Sequence, residues 1–319
     1  MNTQATSKSG PGRSDREGMS LAELFEMFPD DAAAEKWFEE QRWPGGQRFC
    51  PDCGSVRYST LKSRKPMPYR CLDCGAHFSV KRGTVMQSSK LGLKKWAIAI
   101  YMMTTGIKGT SSMKIRRDLK VTQATAWHLM QRIREGFLQG RNQPLPGPVE
   151  IDETYVGGKE HNKPAHKRLN AGGGTSGKAI VAGARDRSSK RIEAAVLPSV
   201  DKPTLHRFVE ETTAQDAQVY TDGFRSYEGM PRRHESVNHS AGEYVRGQVH
   251  TQGIESFWAL FKRGYTGTYH KMSKKHLARY VNEFSGRHNI RDLDTIDQMR
   301  FLVRGMVGKR LPYSDLIAD

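Results

Sequence analysis

Apolar positions recur at helical spacing through much of the first 140 residues, alternate between about 149 and 221, and return to helical spacing after 250. Leu21, Leu24, Phe25 and Phe28 share one face of a segment over 20–41, which breaks near Pro29 and closes at Trp43-Pro44-Gly45-Gly46. Short strand-like pieces lie around Tyr58 and Phe78. Leu93, Trp96, Ala97 and Ile100 then open a helical stretch over 90–139. Within it Ser111 to Leu119 reads as a short helix, Lys120-Val121 as a turn, and Thr122 as the N-cap of a further helix. That helix points Ala126, Leu129, Met130, Ile133 and Phe137 inward.

Pro144-Leu145-Pro146-Gly147-Pro148 is a stiff linker and a domain boundary, past which the pattern changes. Strands are expected at 149–156, 179–185 and 191–197, a helix near 203–213 and a strand at 217–221. A less regular stretch follows, then helices at about 252–263 and 273–287. Three strands, a helix, a strand and a late helix are the order of a ribonuclease-H-like α/β domain, in which the first and fourth strands lie side by side. The fold class expected is therefore multidomain α/β, with small N-terminal modules ahead of that domain.

Composition sharpens the functional side. A chain of 319 residues has room for two or three domains at ~150 residues each. Its longest apolar run, Trp96 to Met103, is far below the roughly 18 residues a membrane span requires, and Met1 to Gly18 has no apolar signal core. A cytoplasmic, nucleoid-associated protein with a disordered start is expected. The net charge is +17 and unevenly spread. From Met19 to Glu40 there are seven Asp or Glu against Lys36, whereas Gln47 to Asn142 holds 19 Lys or Arg against four Asp or Glu. A basic block of that length fits phosphate neutralisation on nucleic acid, with a merely basic, soluble surface as the alternative.

Two short helices with a tight turn inside that block look like a helix-turn-helix. Gln123, Thr125 and His128 would face base edges, and Arg116, Arg117 and Arg132 would sit near phosphates. An ordinary helical hairpin is the other reading.

All four cysteines form two C-x-x-C pairs, Cys50/Cys53 and Cys71/Cys74, with 17 residues between the pairs. That is zinc-ribbon spacing: each knuckle aims two thiolates at one point, and four leave no open position, so the Zn²⁺ would be structural. Gly54 and Gly75 follow the pairs where a knuckle turn favours positive φ. His77 is not needed as a ligand.

Three acids carry the candidate chemistry. Asp152 lies in the alternating run Val149 to Val156, Asp222 ends the run from Val219, and Glu255 sits on the helix containing Ile254, Phe257, Trp258 and Phe261. Carboxylates on two neighbouring strands and a later helix can hold two Mg²⁺ ions, or Mn²⁺ in their place, for phosphoryl transfer. Glu153 competes with Asp152, since strand alternation sends the two to opposite faces. Lys262, two turns beyond Glu255, suits a DNA phosphate, as does its neighbour Arg263. Two near-motifs fail: Gly172 to Lys178 has P-loop spacing but Ala179 where Ser or Thr is needed, and His234-Glu235 with His239 misses H-E-x-x-H by one residue.

The CPDC/CLDC pairs, IDETYVGGK (151–159), YTDGFRSY (220–227), HTQGIESFWALFKRGYTGTYH (250–270) and KKHLARYVNEFSGRHN (274–289) resemble bacterial insertion-sequence transposases of the ISXO-like group, across about 20–305. The resemblance implies a DDE transposase with Asp152, Asp222 and Glu255 as the triad and Lys262 in support. Such an enzyme binds the terminal inverted repeats of its element, cleaves the DNA ends and joins the 3′-hydroxyls to target double-stranded DNA, as a homo-oligomer. The family often has Asn where this chain has Gln252; some relatives use that Asn at the acidic position, and Glu255 is taken here. His250, His270 and Asn289 fall near the triad in the motif. The expected divisions are a tail (1–18), the acidic helical segment (19–46), the ribbon (47–89), the helix-turn-helix region (90–143), the catalytic domain (144–305) and a C-terminal tail (306–319). The alternatives are a non-catalytic zinc-ribbon DNA-binding regulator, as a domesticated transposase, and a nuclease that cuts without joining.

Overall fold

Ser20 starts the first helix through a reciprocal capping box with Glu23, giving α1 (Leu21–Met27); Asp30 caps α2 (Asp31–Arg42). The computed structural model describes residues 17–138, 143–158, 164–168, 175, 177–237 and 245–318. After α2, strands β1 (Tyr58–Thr60), β2 (Tyr69–Cys71) and β3 (His77–Phe78) form an antiparallel sheet in that order. Helices α3 (Leu93–Thr105), α4 (Ser112–Leu119) and α5 (Gln123–Glu135) follow. Thr122 caps α5 as its sequence predicts, its side chain accepting from the Thr125 amide.

The second compact unit spans Gln139–Asn289. Its strands are β4 (Val149–Val156), β5 (Ala179–Asp186) and β6 (Ile192–Leu197), then helix α6 (Lys202–Thr212), strands β7 (Gln218–Asp222) and β8 (Arg233–Val237), and helices α7 (Gln252–Gly264) and α8 (Leu277–Asn289). The sheet order is β6-β5-β4-β7-β8. β4 is central, antiparallel to β5 and parallel to β7, and β8 adds a parallel edge. The sequence pattern left β8 as an irregular stretch, because Arg233-His234-Glu235-Ser236 offers no apolar alternation.

Strand alternation divides the core of this unit between two faces. Val149, Ile151, Ala182, Ala184 and Val219 pack with Leu205, Phe208 and Val209 of α6. Val156, Val181, Ile192 and Ala194 pack with Ile254, Phe257, Trp258 and Phe261 of α7 and with Val281 and Phe284 of α8. Pro144-Leu145-Pro146-Gly147-Pro148 belongs to this unit: Leu145 is fully buried with the α6 core and bridges to Thr213.

The chain then returns to the first unit, which comprises the described parts of Met1–Leu138 and Ile290–Asp319. Helix α9 (Thr295–Gly305) buries Met299, Leu302 and Val303 in a core with Leu24, Phe38, Trp96, Ile100, Ile133 and the ribbon's Tyr69 and Phe78. Helix α10 (Tyr313–Ile317) completes it.

Gly183 of β5 lies directly under Trp258 and Ile254 of α7. A Cβ there would lie 2.6 Å from Trp258 Cζ2 and 3.0 Å from Ile254 Cδ1. Gly183→Ala is expected to lower the thermal midpoint of the second unit by an overpacking cost of about 1–3 kcal/mol, read by calorimetry. An unchanged midpoint would show that α7 does not pack this closely.

Candidate functional site

β4 and β7 bring two of the three acids together. Val149 lies opposite Val219 and Glu150 opposite Tyr220, so the same parallel register, continued by two residues, sets Asp152 level with Asp222. Alternation also gives them one face. Asp152 pairs across β4–β5 with Gly183, the residue on which Trp258 sits, so its side is the α7 side. Val219 packs on the α6 side, which turns Asp222, three residues on, to the α7 side as well. Glu255 lies in the first turn of α7. Burial, and then the carboxylates of Glu153, Asp222 and Glu255, push Asp152 up to about 7. Asp222 Oδ1 accepts from the Phe224 amide at 3.1 Å, and Glu255 Oε1 accepts from the Thr251 hydroxyl at 2.7 Å.

The hard oxygen donors of these carboxylates suit a divalent cation such as Mg²⁺, which would offset the carboxylate repulsion that adds to burial at Asp152. Glu153 has other company. Its Oε2 accepts from Tyr227, a fully buried ring in the α6-side core, at 2.8 Å. Burial raises Glu153, and burial followed by the Glu153 charge raises the Tyr227 phenol further.

Glu150, two residues before Asp152 on the same face, was not singled out from the sequence. It is 1% exposed. Its Oε2 accepts from the Ile254 amide at 2.9 Å, and its Oε1 accepts from Arg187 Nε at 2.8 Å. Arg185 and His250 Nδ1 each stand 3.6 Å from the same carboxylate. In the sequence Glu150 and Asp152 alternate with the apolar Val149 and Ile151, which places both acids on one face but does not distinguish Glu150 from any other acid of a strand. His250 also gives its carbonyl to Arg187 at 2.7 Å. Asn289 bonds both the amide and the carbonyl of Ile192, at 2.8 and 2.9 Å, and so fastens α8 to β6. His270 is exposed, with φ +57°. Lys262 and Arg263 are exposed in the last turn of α7.

In the first unit the four cysteine sulfurs lie within 4.8 Å of one another. Cys50 Sγ is 3.7 Å from Cys74 Sγ, and Cys53 Sγ is 3.6 Å from Cys71 Sγ. A tetrahedron of sulfurs about 2.3 Å from zinc has edges of about 3.8 Å, so the donor set fits Zn²⁺. Gly54 and Gly75 turn the knuckles at φ +78° and +73°.

Of the residues expected to face DNA, Arg116, Arg117 and Gln123 are exposed, Gln123 lying 3.4 Å from the Ser112 hydroxyl. Thr125 is half-buried and shares a 2.8 Å hydroxyl bond with Thr122. His128 and Arg132 are occupied within the chain. The ring of His128 lies 3.1 Å from the Leu311 carbonyl, and Arg132 donates to that carbonyl at 3.1 Å. Tyr313 packs edge-on against His128 with ring centres 5.3 Å apart. The N-terminal tail up to residue 16, Lys159 of the first motif, His239, and most of the 172–178 loop lie outside the described residues. Among the described residues no helix is long and apolar enough to cross a membrane.

Comparison with known proteins bears on both units. Residues 144–289 match the ISXO2-like transposase domain, and residues 29–77 match the transposase zinc-ribbon domain. A protein of the transposable element ISH50 of Halobacterium salinarum is 30% identical over 282 residues, which cover 82% of this chain and 92% of that protein. A transposase-like protein of Haemophilus influenzae is 29% identical over 119 residues, 36% of this chain and 95% of its own length.

The cysteine geometry leads to a direct metal assay. Purified protein is expected to release one zinc per chain to a colorimetric chelator, and Cys71→Ser, which removes one of the four sulfurs, to release little and to unfold at lower temperature. Full zinc content in that variant would refute the site.

Proposed function

The chain belongs to the ISXO2-like transposase family, and from that premise we propose that it cleaves the ends of an insertion sequence and joins them to target DNA. The observation that carries this reading is the common face of Asp152 and Asp222 on adjacent parallel strands beneath the helix bearing Glu255. The order β6-β5-β4-β7-β8, with one antiparallel pair on each side of β5 and parallel pairs from β4 outward, supports a ribonuclease-H-like core.

In this reading Asp152 and Asp222 offer oxygen ligands from two strands, and Glu255 offers another from the first turn of α7. Two Mg²⁺ ions bound there would supply charge stabilisation for the attacking and leaving oxygens of an in-line phosphoryl transfer. Lys262 and Arg263 stand exposed two turns along α7, where they would hold a DNA phosphate. No side chain serves as the nucleophile: water attacks in cleavage, and the freed 3′-hydroxyl attacks in joining. The pair α4–α5, joined by a tight turn at Lys120 to Thr122, acts as a helix-turn-helix on the terminal repeats. Gln123 would face bases and Arg116 and Arg117 phosphates, while the zinc ribbon assists end recognition. The working form is a homo-oligomer that pairs two ends.

Incubation with Mg²⁺, labelled element ends and a target plasmid tests this directly. Joined product is expected; cleavage without joining would indicate a nuclease, and binding alone a regulator. Asp222→Ala should lower cleavage on the order of a thousandfold, given a metal contribution of several kcal/mol, while end binding in a gel-shift assay persists. Undiminished cutting by that variant would remove Asp222 from the centre. For the DNA surface, replacing Arg116 and Arg117 together by Ala should lower the log–log salt slope of binding by about two. An unaltered slope would take α4 off the phosphates.

A further inference from the structure

Helix α7 begins in an unusual way. Its N-cap is Thr251, a residue type that ordinarily turns its side-chain oxygen onto the amide two or three positions on. Here Thr251 makes no such cap; its hydroxyl donates instead to Glu255 Oε1 at 2.7 Å. The amide left over at the third helical position, that of Ile254, donates to Glu150 Oε2 at 2.9 Å. A strand carboxylate therefore caps the helix from outside, and the helix's own cap residue is spent on a neighbouring acid. Thr251 is 1% exposed and Glu150 equally so, so neither arrangement is a loose surface contact.

We propose that Glu150 and Thr251 are positioning residues for the carboxylate centre: Glu150 fixes the first turn of α7 against β4, and Thr251 fixes the rotamer of Glu255. The path is short. Asp152 and Glu150 are two residues apart on one face of β4, and Ile254 and Glu255 are adjacent on α7, so a single hydrogen bond, from the Ile254 amide to the Glu150 side chain, joins the two elements that carry Asp152 and Glu255. Arg187, at 2.8 Å from Glu150 Oε1, and Arg185, at 3.6 Å, hold the Glu150 carboxylate in place from β5 and the residue after it. The helix start is shaped around this joint. A Cβ on Gly253 would lie 2.1 Å from Arg185 Nη1 and 2.6 Å from Glu150 Oε2, so a larger residue there would push the ends of both side chains out of their present places.

This inference rests on the proposed metal-binding role of Asp152, Asp222 and Glu255, and its test separates the two. The probe is Mn²⁺, titrated into the zinc-loaded full chain without DNA, with free Mn²⁺ read by electron paramagnetic resonance. Residues that orient metal ligands typically cost tenfold or more in affinity when replaced, so Thr251→Val and Glu150→Gln should each raise the half-saturating Mn²⁺ concentration roughly tenfold. Thr251→Ser, which restores the hydroxyl, should bind as the parent does. Because Glu255 is exposed and water can replace the lost bond, Thr251→Val should keep the parent's unfolding midpoint; a purely structural role would move the midpoint and leave Mn²⁺ binding alone. If Glu150→Gln fails to fold, the Thr251 pair decides. Parent-like Mn²⁺ binding by Thr251→Val, or by folded Glu150→Gln, overturns the inference provided that Asp152→Asn has lost binding. Parent-like binding by Asp152→Asn itself overturns the metal-binding role and this inference with it.

Discussion

The bond from the Ile254 amide to the buried Glu150 carboxylate joins the sheet of the second unit to the helix above it. The apolar contacts of Phe257, Trp258 and Phe261 hold α7 down on that sheet, but hydrophobic attraction is non-directional and resists a slide along the helix axis only weakly. A hydrogen bond to a fixed oxygen supplies the missing direction. Burying a charge costs several kcal/mol, and the guanidinium groups of Arg187 and Arg185 offset that cost at this site. Arg187 is itself stacked over Tyr220, 4.4 Å from the ring centre, and donates to the carbonyls of Gln248 and His250. The carboxylate thus ties together β4, the end of β5, Tyr220 of β7 and the loop leading into α7.

The first unit solves a different problem. Strands of three, three and two residues are too small to enclose a core of their own. Tyr69 and Phe78 from those strands therefore join the core of the helices, where Trp43 meets both rings edge-on. The four sulfurs gather at the knuckles, Cys50 and Cys71 buried with that core and Cys53 and Cys74 exposed, where a metal would supply the cross-link. Tyr69 also donates to Glu39 on α2, and Arg48 bonds the same carboxylate, so ribbon and helix are fixed by directed contacts as well as by apolar ones.

How much of this was legible depends on what each signal encodes. Strands 149–156, 179–186 and 192–197 carry apolar residues on buried faces, and periodicity located them within a residue or two. β8 was not legible, since an edge strand with polar residues on both faces has no pattern to read. Helix α9 carries Ile296, Met299, Leu302 and Val303 at helical spacing, yet nothing local says that it packs with α2 and α3, far earlier in the chain. Asp152 and Asp222 could be paired from strand order alone, because register is a property of the sheet. Glu150 was missed for the opposite reason: its role lies in a contact to residue 254, and a buried acid looks in sequence like any other acid on a strand.

The return of the chain end also changes how α5 can be used. His128 and Arg132 both meet the Leu311 carbonyl, and burial lowers the basicity of each. A guanidinium already bonded to a carbonyl and partly withdrawn from water offers less to a phosphate than a free one, since phosphate binding draws its free energy from counterion release by exposed charge. Under the proposed reading the electrostatic contact therefore shifts from the middle of α5 to α4 and the turn, where Arg116, Arg117 and Lys120 are exposed. The base-facing part contracts in the same direction, to the first turn of α5 at Gln123, which is where a recognition helix ordinarily meets the bases.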